Sequence, residues 1–172
     1  MLDNTIYKED VVENYKIVTP EAIEEALKTG KLKQTIFGTG CFWSPDSNFG
    51  GRPGVVQTRV GYAGASTLEP SYRDIKGHAE VVRVVYDSDQ ISYRELLGNF
   101  ESWIVHDRKQ GQYRQILFVF DREQKQVAEE LIQAIGKENA PEVIEVGEQN
   151  GTFWAGEDYH QKYRLRRNKA LV

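Results

Sequence analysis

One cysteine occurs in 172 residues, and it stands in GTGCFWSPDSNFGG (38–51), between a Gly-Thr-Gly turn and two large aromatics. If CFWSPD opens a helix, Cys41 lies near unbonded backbone N–H groups and the positive end of the helix dipole. Both favour thiolate and bring the thiol below its reference pKa of about 8.5. Nucleophilic or redox chemistry near neutral pH then becomes available. Packing is the competing reading and on one residue alone the leading one, because unbridged cysteines are among the most buried side chains. Phe42 and Trp43 carry the same ambiguity, as core or as pocket wall.

A chain with one cysteine closes no internal disulfide, so Cys41 is free or bonds transiently to another molecule. Three histidines, His78, His106 and His160, offer it other chemistry. Cys41 with His160, oriented by Asp158 or Asp107, would make a hydrolase, but GCFW carries no hydrolase signature. A zinc site from Cys41 and these histidines has no close ligand spacing, and no metal is expected. Glu80 sits among Ala79, Val81 and Val82 in a strand-like run. It is either an exposed carboxylate on a polar face or an acid whose burial raises its pKa. Tyr72 and Tyr113, taken singly among nine tyrosines, read as rim.

The elements that must hold these groups follow from capping and periodicity. TPEAIEEALKTGK predicts a helix with Thr19 as N-cap, Pro20 in the first turn and Gly30 past its end. KQTIFGTG is a strand ending in glycines, and CFWSPDSNFGG a short helix closed by Gly50 and Gly51. VVQTRVGYAG and HAEVVRVVYD alternate as half-buried strands should. SYRELLGNFESWI is a helix capped by Ser92, and QYRQILFVFD another strand. Asp121 caps DREQKQVAEELIQAIGK, whose Val127, Leu131, Ile132 and Ile135 share one face, with Gly136 as its stop. PEVIEVGE is a last strand, and the aromatic-rich remainder shows no clear periodicity. This order predicts an α+β sandwich, with helices on one side of a mixed, mainly antiparallel sheet. Residues 1–34 read as an arm with a short helix and 35–172 as the main domain.

With 40% hydrophobic and 28% charged residues, the chain has the balance of a globular domain large enough for a core. A net charge of −4 speaks against nucleic acid as partner, and RLRRNK (164–169) reads as a solvated end. No apolar run spans a bilayer and MLDNTIYKEDVVENYKI lacks a signal-peptide pattern, so a soluble, cytoplasmic monomer is expected. No glycine fingerprint for a dinucleotide follows any strand.

The blocks GCFW, VGYAG, PSY, GHAEVV, QYR and FWAGEDYHQKY occur in that order between about Thr35 and Tyr163. The series resembles the A-type peptide methionine sulfoxide reductases. The resemblance implies a two-layer α/β sandwich with a ferredoxin-like core and reduction of methionine-S-sulfoxide, protein-bound or not, to methionine. It implies Cys41 as nucleophile and Glu80 as proton donor, with Tyr72 and Tyr113 hydrogen-bonding the sulfoxide oxygen. Phe42 and Trp43 then seat the S-methyl group. A sulfenic acid on Cys41 follows, a reversible oxidation state that condenses with thiols. Many relatives supply the second thiol from C-terminal cysteines. NKALV supplies none, so thioredoxin, glutaredoxin or glutathione must recycle Cys41 and no other cofactor is implied.

Two departures stand out. HDRKQGQYR (106–114) lacks the longer loop, with its supporting aspartate, that relatives usually carry, and Asp107 does not inherit that role. PSYRDIKGHAE shortens the tyrosine-to-glutamate spacing, and Ser44 and Asp46 replace the usual glycine and glutamate. Weakened turnover is expected; the rival expectation is a non-catalytic or altered-substrate homologue that binds methionine or its sulfoxide.

Overall fold

A computed structural model describes residues 19–101, 110–147 and 151–167, with backbone alone for 99–101. His106, Asp107 and the NKALV end therefore lie outside the described residues, as does most of the predicted arm.

Among the described residues six strands form one sheet in the order β5-β4-β1-β3-β2-β6. They are β1 (Lys33–Thr39), β2 (Val55–Ala63), β3 (Ala79–Tyr86), β4 (Gln115–Val119), β5 (Glu142–Glu145) and β6 (Trp154–Ala155). Between them run α1 (Pro20–Lys28), α2 (Trp43–Gly50), α3 (Tyr93–Glu101) and α4 (Arg122–Ile135), with α5 (Tyr163–Arg167) at the end. The inner unit β1-α2-β2-β3-α3-β4 has sheet order β4-β1-β3-β2, every pair antiparallel, which is the split βαβ arrangement of the ferredoxin-like fold. β5 joins β4 in parallel through α4, and β6 pairs with β2.

The caps are the predicted ones. Thr19 Oγ1 accepts from Ala22 N at 3.3 Å and Asp121 Oδ1 from Gln124 N at 2.8 Å. Ser92 and Glu95 cap α3 reciprocally, Glu95 N donating to Ser92 Oγ at 3.2 Å and Ser92 N to Glu95 Oε2 at 2.9 Å. Each such cap is worth about 1 kcal/mol by satisfying an otherwise orphaned donor.

Alternation along the strands makes two cores. Phe37, Val60, Tyr62, Val82, Val84, Leu117 and Val119 face α2, α3 and α4, and meet Phe49, Leu96, Val127 and Leu131 there. The opposite face carries Ile36, Val81, Ile116 and Phe118. Here the structure corrects the expectation of helices on one side: Ile23 of α1 packs with Leu32 and Val85 on this second face. The terminal signals of α1 predicted the helix, but not which side of the sheet receives it. The C-terminal stretch is also more ordered than its irregular pattern suggested. β6, a 3-10 turn at Asp158–His160 and α5 are too short for periodicity to register.

Gly61 makes the β2–β6 pairing possible. A Cβ built there would lie 2.2 Å from Trp154 O and 2.6 Å from the Phe153 ring. None of the described helices is long and apolar enough to cross a membrane.

Candidate active site

β1 ends at Thr39, and Gly40 turns the chain at φ 89, in the left-handed region that glycine enters without penalty. The turn delivers Cys41, exposed, immediately ahead of the helix. α2 begins at Trp43 with Phe42 as its N-cap residue, so the thiol stands two positions ahead of the first helical residue. Phe42 has helical φ and ψ and no side-chain cap. Its N–H is satisfied instead from the sheet: it donates to Glu80 Oε2 at 3.0 Å.

Glu80 lies on β3 opposite Tyr62 of β2, on the face that carries α2. It is 1% exposed. Gln112, on the turn into β4, holds it twice: Nε2 donates to Glu80 Oε1 at 2.6 Å, and the Gln112 carbonyl accepts from Glu80 N at 2.9 Å. Burial raises the Glu80 pKa above the ordinary carboxylate value, against the donors Phe42 N and Gln112 Nε2, which pull it down. The polar-face reading of Glu80 is thereby excluded. Next to it on the turn, Tyr113 is 41% exposed. Its hydroxyl is pushed up to about 12, by burial first, then by the Glu80 carboxylate, a hydrogen bond with Tyr72 and the charge of Cys41. The thiol, the carboxyl and both phenols thus share one locality, reached from β3, the β1–α2 turn, the 64–78 loop and the turn before β4.

The aromatics after the thiol have separate environments. Phe42 is 1% exposed and belongs to the core, its ring centroid 6.0 Å from Tyr62 and 5.1 Å from His160. Trp43 is half-buried, stacks on Tyr163 at 3.9 Å and 12°, and donates from Nε1 to His160 Nδ1 at 3.1 Å.

That indole bond fixes the imidazole. With Nδ1 accepting, neutral His160 carries its proton on Nε2, 4.0 Å from Glu157 Oε2. Burial lowers the His160 pKa, opposed by Glu157. Neither nitrogen then offers a lone pair to a thiol, so the Cys41–His160 hydrolase pair does not fit this geometry. Its proposed alternative orienter Asp107 lies outside the described residues. Among the described residues no group of three His, Cys, Asp or Glu side chains is placed to hold a metal ion.

Reasoning from sequence missed Gln112, Glu157 and the partner of Asp46. Glu157 accepts from the Tyr62 hydroxyl at 2.7 Å and from Tyr72 N at 2.9 Å. Burial pushes its pKa up, but these donors and His160 hold it below the ordinary value. Asp46, 1% exposed, pairs with Lys162: Lys162 Nζ lies 2.6 Å from Asp46 Oδ1, Thr58 O and Thr58 Oγ1. Lys162 N also donates to Asp46 Oδ2 at 3.0 Å. Burial lowers the Lys162 pKa, and the Asp46 charge opposes that. Gln161 reaches the β2 backbone, accepting from Val60 N at 3.0 Å and donating to Val60 O at 2.9 Å. The DYHQK segment therefore ties α2 to β2. For Asp46 and Lys162 the only signal was a carboxylate and an ammonium on otherwise packed segments, with nothing in the order of residues to pair them.

Residues 33–171 match the family model described as peptide methionine sulfoxide reductase. The chain is 42% identical over 153 residues to a peptide methionine sulfoxide reductase MsrA of Methanoculleus marisnigri, covering 79% of this chain and 91% of that one. A second MsrA, from Deinococcus radiodurans, is 41% identical over 147 residues, covering 76% and 70%. Among solved structures the chain resembles methionine sulfoxide reductase A of Corynebacterium diphtheriae, with TM-score 0.66 and 29% identity over 80% of this chain and 76% of that one. With the ferredoxin-like core present as well, the chain belongs to the peptide methionine sulfoxide reductase family, and its reaction is the reduction of methionine sulfoxide to methionine.

Proposed function

We propose that residues 35–172 act as a one-cysteine methionine-S-sulfoxide reductase, residues 1–34 being an appended arm and helix. The Cys41 thiolate attacks the sulfoxide sulfur. The sulfur–oxygen bond weakens only as the oxygen gains a proton, and Glu80 supplies it. The observation that carries this reading is the Glu80 carboxyl: 1% exposed, raised in pKa by burial, and bonded to the backbone of the residue next to the thiol. Such a carboxylic acid stays protonated above the ordinary range and can act as a general acid. The hydroxyls of Tyr72 and Tyr113 hydrogen-bond the oxygen while charge develops on it. Phe42 forms the floor and Trp43 the wall of the notch for the S-methyl group.

Oxygen passes to sulfur, giving methionine and a Cys41 sulfenic acid. One external thiol condenses with it, releasing water and leaving a mixed disulfide. A second thiol then restores Cys41 and leaves as the disulfide of the reductant. Thioredoxin, glutaredoxin or glutathione fits that role, with the enzyme a monomer in the reducing cytoplasm. The reading is tested with separated methionine sulfoxide epimers and dithiothreitol: the S epimer is consumed, the R epimer is not, and C41S abolishes turnover. Consumption by C41S at the wild-type rate would remove Cys41 from the reaction.

A further inference from the structure

Tyr72 lies between β2 and β3, outside any regular element. It sits in the 64–78 loop, where Gly64, Glu69, Lys76 and Gly77 all have positive φ. Inside the loop, Ser71 and Asp74 exchange backbone bonds of 2.9 and 3.2 Å, which shape it without aiming it at Cys41. One link from the Tyr72 backbone to the sheet is Glu157. Its Oε1 accepts from Tyr72 N at 2.9 Å while its Oε2 accepts from the hydroxyl of Tyr62 at 2.7 Å. Tyr62 is fully buried and is the cross-strand partner of Glu80. The Tyr72 ring then lies against His160, centroids 4.6 Å apart, and that imidazole is fixed by the Trp43 indole.

We propose that Glu157 is a positioning residue for the reaction: its carboxylate ties the Tyr72 backbone to the Tyr62 hydroxyl and so sets where the Tyr72 phenol meets the sulfoxide oxygen. The inference rests on the reading above, in which that phenol binds the oxygen. An ionised carboxylate suits the task because both of its partners are donors, and charge-assisted bonds of this kind are the strong ones. Glutamine at 157 keeps the connection, accepting from Tyr72 N through Oε1 and donating from Nε2 to the Tyr62 oxygen. Alanine cuts it.

The test is a double-mutant cycle on kcat/KM for methionine-S-sulfoxide, with E157A, E157Q, Y72F and E157A/Y72F. Y72F alone costs roughly ten- to a hundredfold, the loss of one hydrogen bond to developing charge. E157A costs a comparable factor, E157Q restores most of it, and E157A adds less than about twofold in the Y72F background. Should E157A fail to fold, Y62F loosens the same carboxylate at its sheet end and is read in the same cycle. An E157A or Y62F loss that persists in full in the Y72F background overturns the inference and leaves the role of Tyr72 standing. A Y72F enzyme as fast as wild type overturns the role of Tyr72, and with it the task assigned to Glu157.

Discussion

Phe42 N donates to Glu80 Oε2 across 3.0 Å, so the residue that follows the thiol and the buried carboxyl of β3 are held as one unit. The bond caps α2 from the sheet side, where no side chain of the helix does so. Whatever moves β3 against α2 therefore also moves the acid against the nucleophile.

Glu80→Gln tests the acid. With no ionisable proton, the single-turnover rate falls by about 10²–10⁴-fold, the usual worth of a positioned general acid. The wild-type rate declines on the alkaline side as Glu80 ionises, and the variant lacks that limb. Stability carries the same sign. A raised folded pKa contributes stability below the ordinary value of 4.5 that is lost as pH rises through the folded value. Thermal melts of the variant should lack this loss above pH 4.5.

Gln112→Ala removes a donor 2.6 Å from Glu80 Oε1 that favours the carboxylate. Its loss raises the Glu80 pKa further, so the alkaline limb of the single-turnover profile moves to higher pH. A limb that stays in place would show that Gln112 does not tune the acid.

Lys162→Met breaks a buried pair and strands Asp46, which is 1% exposed on α2. Leaving one buried charge unpaired costs about 3–5 kcal/mol, measurable by denaturant titration. Adding Asp46→Asn recovers much of that loss, since the remaining amide carries no charge to desolvate.

Gly61→Ala sets a Cβ against Trp154 O, a backbone atom that cannot swing aside. Overpacking of this kind costs about 1–3 kcal/mol. β6 leads within two residues to Glu157, so the KM for sulfoxide should rise along with the stability loss.

The inner strands and the capped helices were legible because each has its own periodicity or terminal signal: Thr19, Ser92 and Asp121 cap where their side chains predict. The partners of Asp46 and Glu157 were not. Lys162 reaches Asp46 across 116 residues of chain and Glu157 reaches Tyr72 across 85, contacts that only the folded sheet creates. The burial of Glu80 fell between these cases. Its neighbours Ala79, Val81 and Val82 allow either face, and the choice is made by where α2 and Gln112 come to lie.

The central claim is that the sulfoxide oxygen passes to Cys41. Wild-type protein mixed with one equivalent of methionine-S-sulfoxide, with no reductant, should release one equivalent of methionine. Peptide mass spectrometry should then find one added oxygen on Cys41. Methionine released with the mass of Cys41 unchanged would contradict the account.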